Sequence, residues 1–519
     1  MINKPMTLSM PKILFLLITW LIVSGISLTS PCEALHPRGL IRPDELNTIR
    51  ARLTQEPLKN YLRYFQQYVE AKMRKVSPQS SDADRVYLSS QMATLYLLTQ
   101  DARWASYAWE YLNPVLSTDL TFTDPLSRGL TRAAMLQNAA ISYDFCYPAW
   151  SDEQRQRVNE AIFSCIVSVN ASMGHEANYN IASNWMGVRY GAVILAASVW
   201  DAPALKPGEK SPALPYLWDA SKRLQDHLEA VIYINGWNGE SMGYHGYDWS
   251  FIGPALIALY NQGQNDHFKL ENFAPKLLHT LWGLSTAAVD IPTQSGRGIK
   301  ADLSDDNLNA FGPDLLALSF RLYPPAQQPY LKWMFDYRFS PSQTKDGRHG
   351  LIFTLLYYPL NIPAYNPAEA GWLHYHDPEQ GILMFRNQFK DSTDIVFTLS
   401  ATSRRVRGHQ GPDTHTWRLL GLGVPWVIGG GRTGATYLQT NFFPDSLETL
   451  KKKIEQTGKL HHFQSRPQGG EALSSGSCLN VNEHIRQSWV NYHPRSGCEA
   501  VLVVSGKLPK WPSLAHSNA

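Results

Sequence analysis

The chain has 519 residues, 44% of them apolar and 18% charged, with a formal net charge of only +3. That length and composition suit about two to four domains with sizeable cores and exclude a disordered protein. The charge is spread without a long basic run, which argues against a non-specific nucleic-acid binder and leaves room for a local basic cleft.

In chain order, Lys4 and Lys12 flank the approach to an apolar stretch over residues 13–28, followed by small and polar residues up to Cys32, Glu33 and Ala34. The pattern predicts a signal peptide over 1–34, cleaved near Ala34, and so a secreted or periplasmic protein. No later segment is long and apolar enough to span a bilayer. Cys146, Cys165, Cys478 and Cys498 remain after cleavage. Cys478 and Cys498 flank a predicted strand-turn-strand segment and can pair in an oxidising compartment, while Cys146 and Cys165 are expected to be free.

Residues 35–340 read as helical. Segments 87–98 and 104–112 form one predicted helix pair, 131–145 and 153–169 a second, and 185–200, 220–234 and 252–262 continue the series. Ser151 and Asp152 stand where a cap would start the helix at Glu153. Pairs recurring at about 40–50 residues suggest a helical array, solenoid or toroid. After a linker over 341–366 the pattern changes. Segments 381–386, 394–399, 415–420, 426–428, 484–492 and 500–504 are short, β-rich and separated by Gly, Pro, Asp or Ser, which predicts an antiparallel β-domain over 367–519. The polar stretch 445–477 reads as a long loop. The fold class expected is α+β multidomain.

Three clusters carry side chains suited to chemistry. Asn178 to Trp185 is Asn-rich and leads into a helix, where Asn184 can donate hydrogen bonds beside a helix N-terminus, a place that suits an anion. Gly236 to Trp249 sits between two predicted helices and gathers Glu240, Tyr244, His245 and Tyr247 among four glycines. Loops of this kind on a rigid scaffold are common sites. Arg404, Arg405 and Arg407 lie beside His409 and His415 and can clamp a carboxylate or sulfate. His409, Asp413 and His415 are an alternative metal set, although their spacing alone does not define one. The 16 Trp and 25 Tyr mostly fill cores, and some can line a sugar groove.

Four stretches in order resemble the heparinase II/III-like polysaccharide lyases, a family related to alginate lyases. They are His36-Pro37-Arg38-Gly39-Leu40-Ile41-Arg42-Pro43-Asp44-Glu45-Leu46, Ser183-Asn184-Trp185, Glu240 with Tyr244, and His409, Asp413 and Trp417. The resemblance implies an (α/α) toroid followed by an antiparallel β-sandwich, incomplete at its C-terminus if the chain stops soon after Val504. It also implies cleavage of a uronic-acid-containing anionic polysaccharide, such as a glycosaminoglycan, by β-elimination. Asn184 would neutralise the carboxylate, and Tyr244 and His409 would serve as acid and base. Trp185, Glu240, His245, Tyr247, Arg404, Arg405 and Arg407 would contact substrate. Gly411 stands where the family has a histidine, Ser241 where it has a glycine, and no later His-Asn segment is evident. These departures count against a structural zinc or calcium, and no cofactor is otherwise expected. The same scaffold and proton abstraction would also fit a uronate C5-epimerase or a non-catalytic glycan-binding protein.

Overall fold

The computed structural model describes residues 35–76, 80–116, 129–172, 181–202, 209–232, 236–263, 288–289, 299–301, 312–338, 350–378, 380–400, 416–427, 459–466, 469–475 and 499–503. The described part is mostly helical, with antiparallel strands toward the C-terminus. The helices are α1 Leu46–Arg52, α2 Leu58–Met73, α3 Asp82–Thr99, α4 Ala102–Leu116, α5 Leu130–Cys146, α6 Asp152–Ser172, α7 Asn184–Val199, α8 Leu214–Val231, α9 Met242–Asn261, α10 Pro313–Leu322, α11 Gln328–Arg338 and α12 Gly350–Tyr357.

Two kinds of helix alternate, and the sequence shows why. In α2 the buried residues are Leu58, Tyr61, Phe65 and Val69, spaced three and four apart, so only one stripe meets the core. In α5 and α7 nearly every residue is buried, and small side chains such as Ala133, Ala139, Ala140, Gly187 and Gly191 let neighbours approach on all sides. A fully buried Leu, Ile or Phe at these positions is worth about 1.5–3 kcal/mol. Some of the polar groups inside this layer satisfy one another. Ser90 Oγ donates to Asn138 Oδ1 at 2.6 Å, and the Ser89 and Ser142 hydroxyls lie 3.0 Å apart. Helix α3 starts at Ser81, whose Oγ accepts from the Asp84 N–H, with Asp82 and Asp84 placed favourably for the helix dipole.

The fully buried helices are successive neighbours: α3 with α5, α5 with α7, α7 with α9, α9 with α10, and α10 with α12. Helix α12 then packs on α2, which packs on α3. The N-terminal segment ties into this layer. His36 Nδ1 lies 2.7 Å from Asp144 and its Nε2 3.2 Å from Asp201, while its ring stacks on Tyr147. The Arg38 and Gly39 N–H groups donate to the Asp144 carboxylate, and Tyr357 donates to the Leu40 carbonyl.

A short antiparallel pair, β1 Ala288–Val289 and β2 Ile299–Lys300, comes first, and β3 His374–Asp377, β4 Ile382–Arg386, β5 Val396–Ser400, β6 Thr416–Gly421 and β7 Val424–Val427 then make a five-stranded antiparallel meander in chain order. Burial alternates along β4, with Ile382, Met384 and Arg386 inside and Leu383 and Phe385 outside, as the strand period demands. Arg386 is buried in a charge-assisted pair with Asp394. Aromatic contacts join helices to sheet, Trp333 with Phe389 and Tyr330 with Trp372.

Several expectations change. Gly350–Tyr357 is a helix with a buried core face inside the stretch expected to be a linker, because Leu351, Ile352, Phe353, Leu355 and Leu356 need cover. Two strands, Lys459–Arg466 and Gly469–Ser475, stand where a long loop over 445–477 is predicted, and they form a three-stranded sheet with Glu499–Val503. Cys146 is free and buried, as expected, and Cys165 is buried. Cys478, Cys498 and the segment 484–492 lie outside the described residues. Among those residues no helix is long and apolar enough to cross a membrane.

Candidate functional site

The loop 236–241 is held by its own sequence. Gly236 has φ +86°, open to glycine without strain. Asn238 folds back so that its Oδ1 accepts from the Glu240 N–H at 2.9 Å, and the Gly239 N–H donates to the Val231 carbonyl. Trp237 reaches the sheet: its N–H donates to Asp377 Oδ2 at 3.4 Å and its ring lies 6.3 Å from that of Tyr375. Together these contacts fix the loop where the helices meet strand β3.

The loop then delivers Glu240 to the start of α7. Glu240 Oε2 accepts from the Asn184 N–H at 2.6 Å and from Asn184 Nδ2 at 2.7 Å. Both residues are buried, at 2% and 1% exposure. A carboxylate at a helix N-terminus meets oriented N–H groups and the positive end of the dipole, so its burial is compensated. Ser183 caps the same helix end, its Oγ accepting from the Trp185 N–H. The Trp185 ring lies beside the buried Arg189 guanidinium, 5.9 Å from it.

The second segment is half helix, where the sequence predicts loop throughout. Helix α9 begins at Met242, ten residues before the predicted start at Ile252. Gly243 and Gly246 each weaken a helix by about 1 kcal/mol. Burial of Tyr244, His245, Asp248 and Trp249 at helical spacing outweighs that. Just before it, Ser241 holds φ +105°, a strained conformation for a residue with a side chain. Tyr244, on the first turn, is 8% exposed. His245 stacks on Trp249, and its Nδ1 lies 3.4 Å from the Asn238 amide. Burial pushes the His245 pKa down to about 3, so the ring is neutral at ordinary pH. Tyr247 is exposed and meets Phe251 edge-on.

Two members of this region do not stand out in the sequence. His227 on α8 is fully buried, with Nδ1 2.6 Å from the Ile181 carbonyl and Nε2 2.9 Å from Asp248 Oδ2. Asp248 lies one turn beyond Tyr244, a spacing that was available to find it. His227 is a lone histidine on a helix, and only the fold pairs it with Asp248.

The structure thus joins Asn184 to Glu240 directly and places His245 on the loop through Asn238. Glu240, expected among the substrate contacts, is buried against Asn184. His409, Arg404, Arg405, Arg407, Asp413 and His415 lie outside the described residues. Among the described residues no group of three or more His, Cys, Asp or Glu side chains is arranged to hold a metal ion.

What these features define is a mostly helical chain carrying an antiparallel sheet, with a polar, buried cluster at their junction. In solved structures the chain is similar to a heparinase III gene product, at TM-score 0.43 and 11% identity, over 88% of this chain and 70% of that one. It is also similar to a crystal structure of heparinase III, at TM-score 0.45 and 13% identity, over 78% of this chain and 60% of that one. No protein-family model and no curated protein sequence matches the chain.

Proposed function

We propose that this chain is a secreted polysaccharide lyase that cleaves a uronic-acid-containing anionic glycan by β-elimination. The observation that carries the reading is the bond between Asn184 and Glu240. It joins two segments 56 residues apart that the sequence assigns to one site. The return of α12 onto α2 supports a closed (α/α) toroid, and the five-stranded meander supports one layer of a β-sandwich.

Elimination requires that the uronate carboxylate be neutralised, that a base remove the C5 proton, and that an acid protonate O4 as the C4–O4 bond breaks. Asn184 Nδ2 carries two hydrogens. Glu240 takes one, and the other meets the substrate carboxylate. Glu240 works through Asn184 and is a positioning residue. Tyr244 moves the proton at O4, and His409 is the base at C5, with Tyr244 able to fill both roles. Arg404, Arg405 and Arg407 clamp acidic groups, and Trp185 and Tyr247 offer rings to the sugars. His245, neutral through burial, serves as a hydrogen-bonding group at the same place.

Incubation of the purified mature chain with heparan-type, chondroitin-type and alginate substrates tests the reading, with ultraviolet absorbance reporting unsaturated uronides. Product from at least one substrate is expected, and Tyr244→Phe should lower turnover by about 10²–10⁴-fold. No product from any member of the panel rejects the lyase, and near-normal turnover in Tyr244→Phe removes that residue from the chemistry.

A further inference from the structure

His227 and Asp248 take no part in the reaction as drawn, yet they bridge its two halves. Ile181 lies two residues before the Ser183 cap of Asn184, and Asp248 lies one helical turn after Tyr244. His227, from a third helix, contacts both with its two ring nitrogens. The crossing of α7 and α9 is close here, since a Cβ on Gly187 would fall 1.8 Å from Asp248 Oδ1.

The proton count of this bridge follows from donor and acceptor types. A carbonyl only accepts, so His227 Nδ1 carries a hydrogen and donates to Ile181. The 2.9 Å contact between Nε2 and Asp248 Oδ2 needs a hydrogen as well, on the nitrogen or on the carboxyl. Without it, two lone pairs would face each other in a buried place. The two contacts therefore exist together only while the pair holds one proton more than a neutral imidazole beside a carboxylate. Burial opposes a charged His227, but the Asp248 carboxylate, the Ile181 carbonyl and Glu240 together raise it above its ordinary 6.5. Burial raises the Asp248 carboxyl in the same sense. Among the described residues, Tyr247, next to Asp248 on α9, is a further ionisable group that feels the Asp248 charge.

We infer that His227 and Asp248 form a proton-dependent brace, in which the shared proton holds the turn presenting Asn184 against the helix that carries Tyr244. The working roles of Asn184 and Tyr244 rest on the reading above; the brace itself rests on the geometry. Raising the pH removes the shared proton and leaves one ring hydrogen for two acceptors, so either the Ile181 carbonyl or the Asp248 carboxylate loses its donor and residues 181–187 loosen before the protein unfolds.

Asp248→Asn separates the proton from the shape. An asparagine Nδ2 can donate to Nε2 of a neutral imidazole, keeping the contact with nothing to titrate. Hydrogen exchange of the full chain, corrected for intrinsic rates, is measured over residues 181–187 from pH 6 to 9. Protection in the native protein should fall by about tenfold or more across that range and stay level in Asp248→Asn. Lyase turnover, where present, should show an alkaline decline that the variant shifts upward. Equal pH dependence in the two proteins, or a level response in the native one, overturns the brace. Should Asp248→Asn fail to fold, the His227 ring nitrogen resonances of the native protein decide. A transition above the ordinary histidine range is expected, and one at or below it overturns the inference. Absence of unsaturated product at every pH rejects the lyase alone, because the exchange measurement still reads the brace.

Discussion

Asn184 donates twice to a single oxygen of Glu240, 2.6 Å from its backbone nitrogen and 2.7 Å from Nδ2. The side-chain half of this arrangement can be removed from either end. Asn184→Ala leaves the buried carboxylate short of a donor, and Glu240→Ala leaves both N–H groups short of an acceptor. Each change alone should destabilise, and the double variant should lose less than their sum, with a coupling of about 1–3 kcal/mol. Denaturant unfolding of the four proteins measures it, and additive losses would show that the pair is not coupled.

Ser241 combines φ +105° with a buried hydroxyl that has no hydrogen-bond partner among the described residues. Both features oppose folding. Glycine removes both and adds only the entropy of a freer unfolded chain, so Ser241→Gly should gain about 1 kcal/mol. A lower unfolding midpoint in this variant would refute the strain.

Gly187 and Gly246 lie on facing helices and predict opposite outcomes. An alanine at 187 would bring its Cβ 1.8 Å from Asp248 Oδ1 and 2.7 Å from Ile252 Cδ1, so the α7–α9 crossing must open. A Cβ on Gly246 meets nothing within 4 Å. Gly187→Ala should cost about 3 kcal/mol or more, while Gly246→Ala should gain up to about 1 kcal/mol from helix propensity. Thermal midpoints of the two variants, compared side by side, check both signs.

Two buried histidines give stability opposite pH dependences. At His36 burial lowers the pKa, but hydrogen bonds to Asp144 and Asp201 outweigh it and the net shift is upward. Its contribution is fully present below the unfolded value of about 6.5 and is lost as pH rises through the folded one. His245 is depressed to about 3 by burial, so its contribution is present above about 6.5 and is lost as pH falls toward 3. His36→Gln should flatten the alkaline side of a stability-versus-pH curve and His245→Asn the acid side. Curves that keep the native slopes in both variants would contradict these assignments.

The sequence shows much of the helical layer: the segments predicted over 87–98, 131–145 and 185–200 coincide with most of α3, α5 and α7, and α3 and α7 open on serine caps that act within one turn. It also singles out Asn184, Glu240 and Tyr244, since Asn-rich and Gly-rich junctions are locally distinctive. It places the start of α9 too late, because glycines at 243 and 246 signal loop locally while burial of Tyr244, His245, Asp248 and Trp249 decides otherwise. His227 is invisible for a related reason: its partners, Ile181 and Asp248, are brought to it only by the crossing of three helices.

The bond from Tyr357 to the Leu40 carbonyl spans 317 positions in the chain. During synthesis, then, the stretch around Leu40 emerges well ahead of α12 and waits for that helix before its docking place is complete. Loop closure over such a distance is entropically slow. Assembly of the helical layer should therefore finish late, with the seam between α2 and α12 the final one to seal and the first place where an unfinished chain exposes apolar surface.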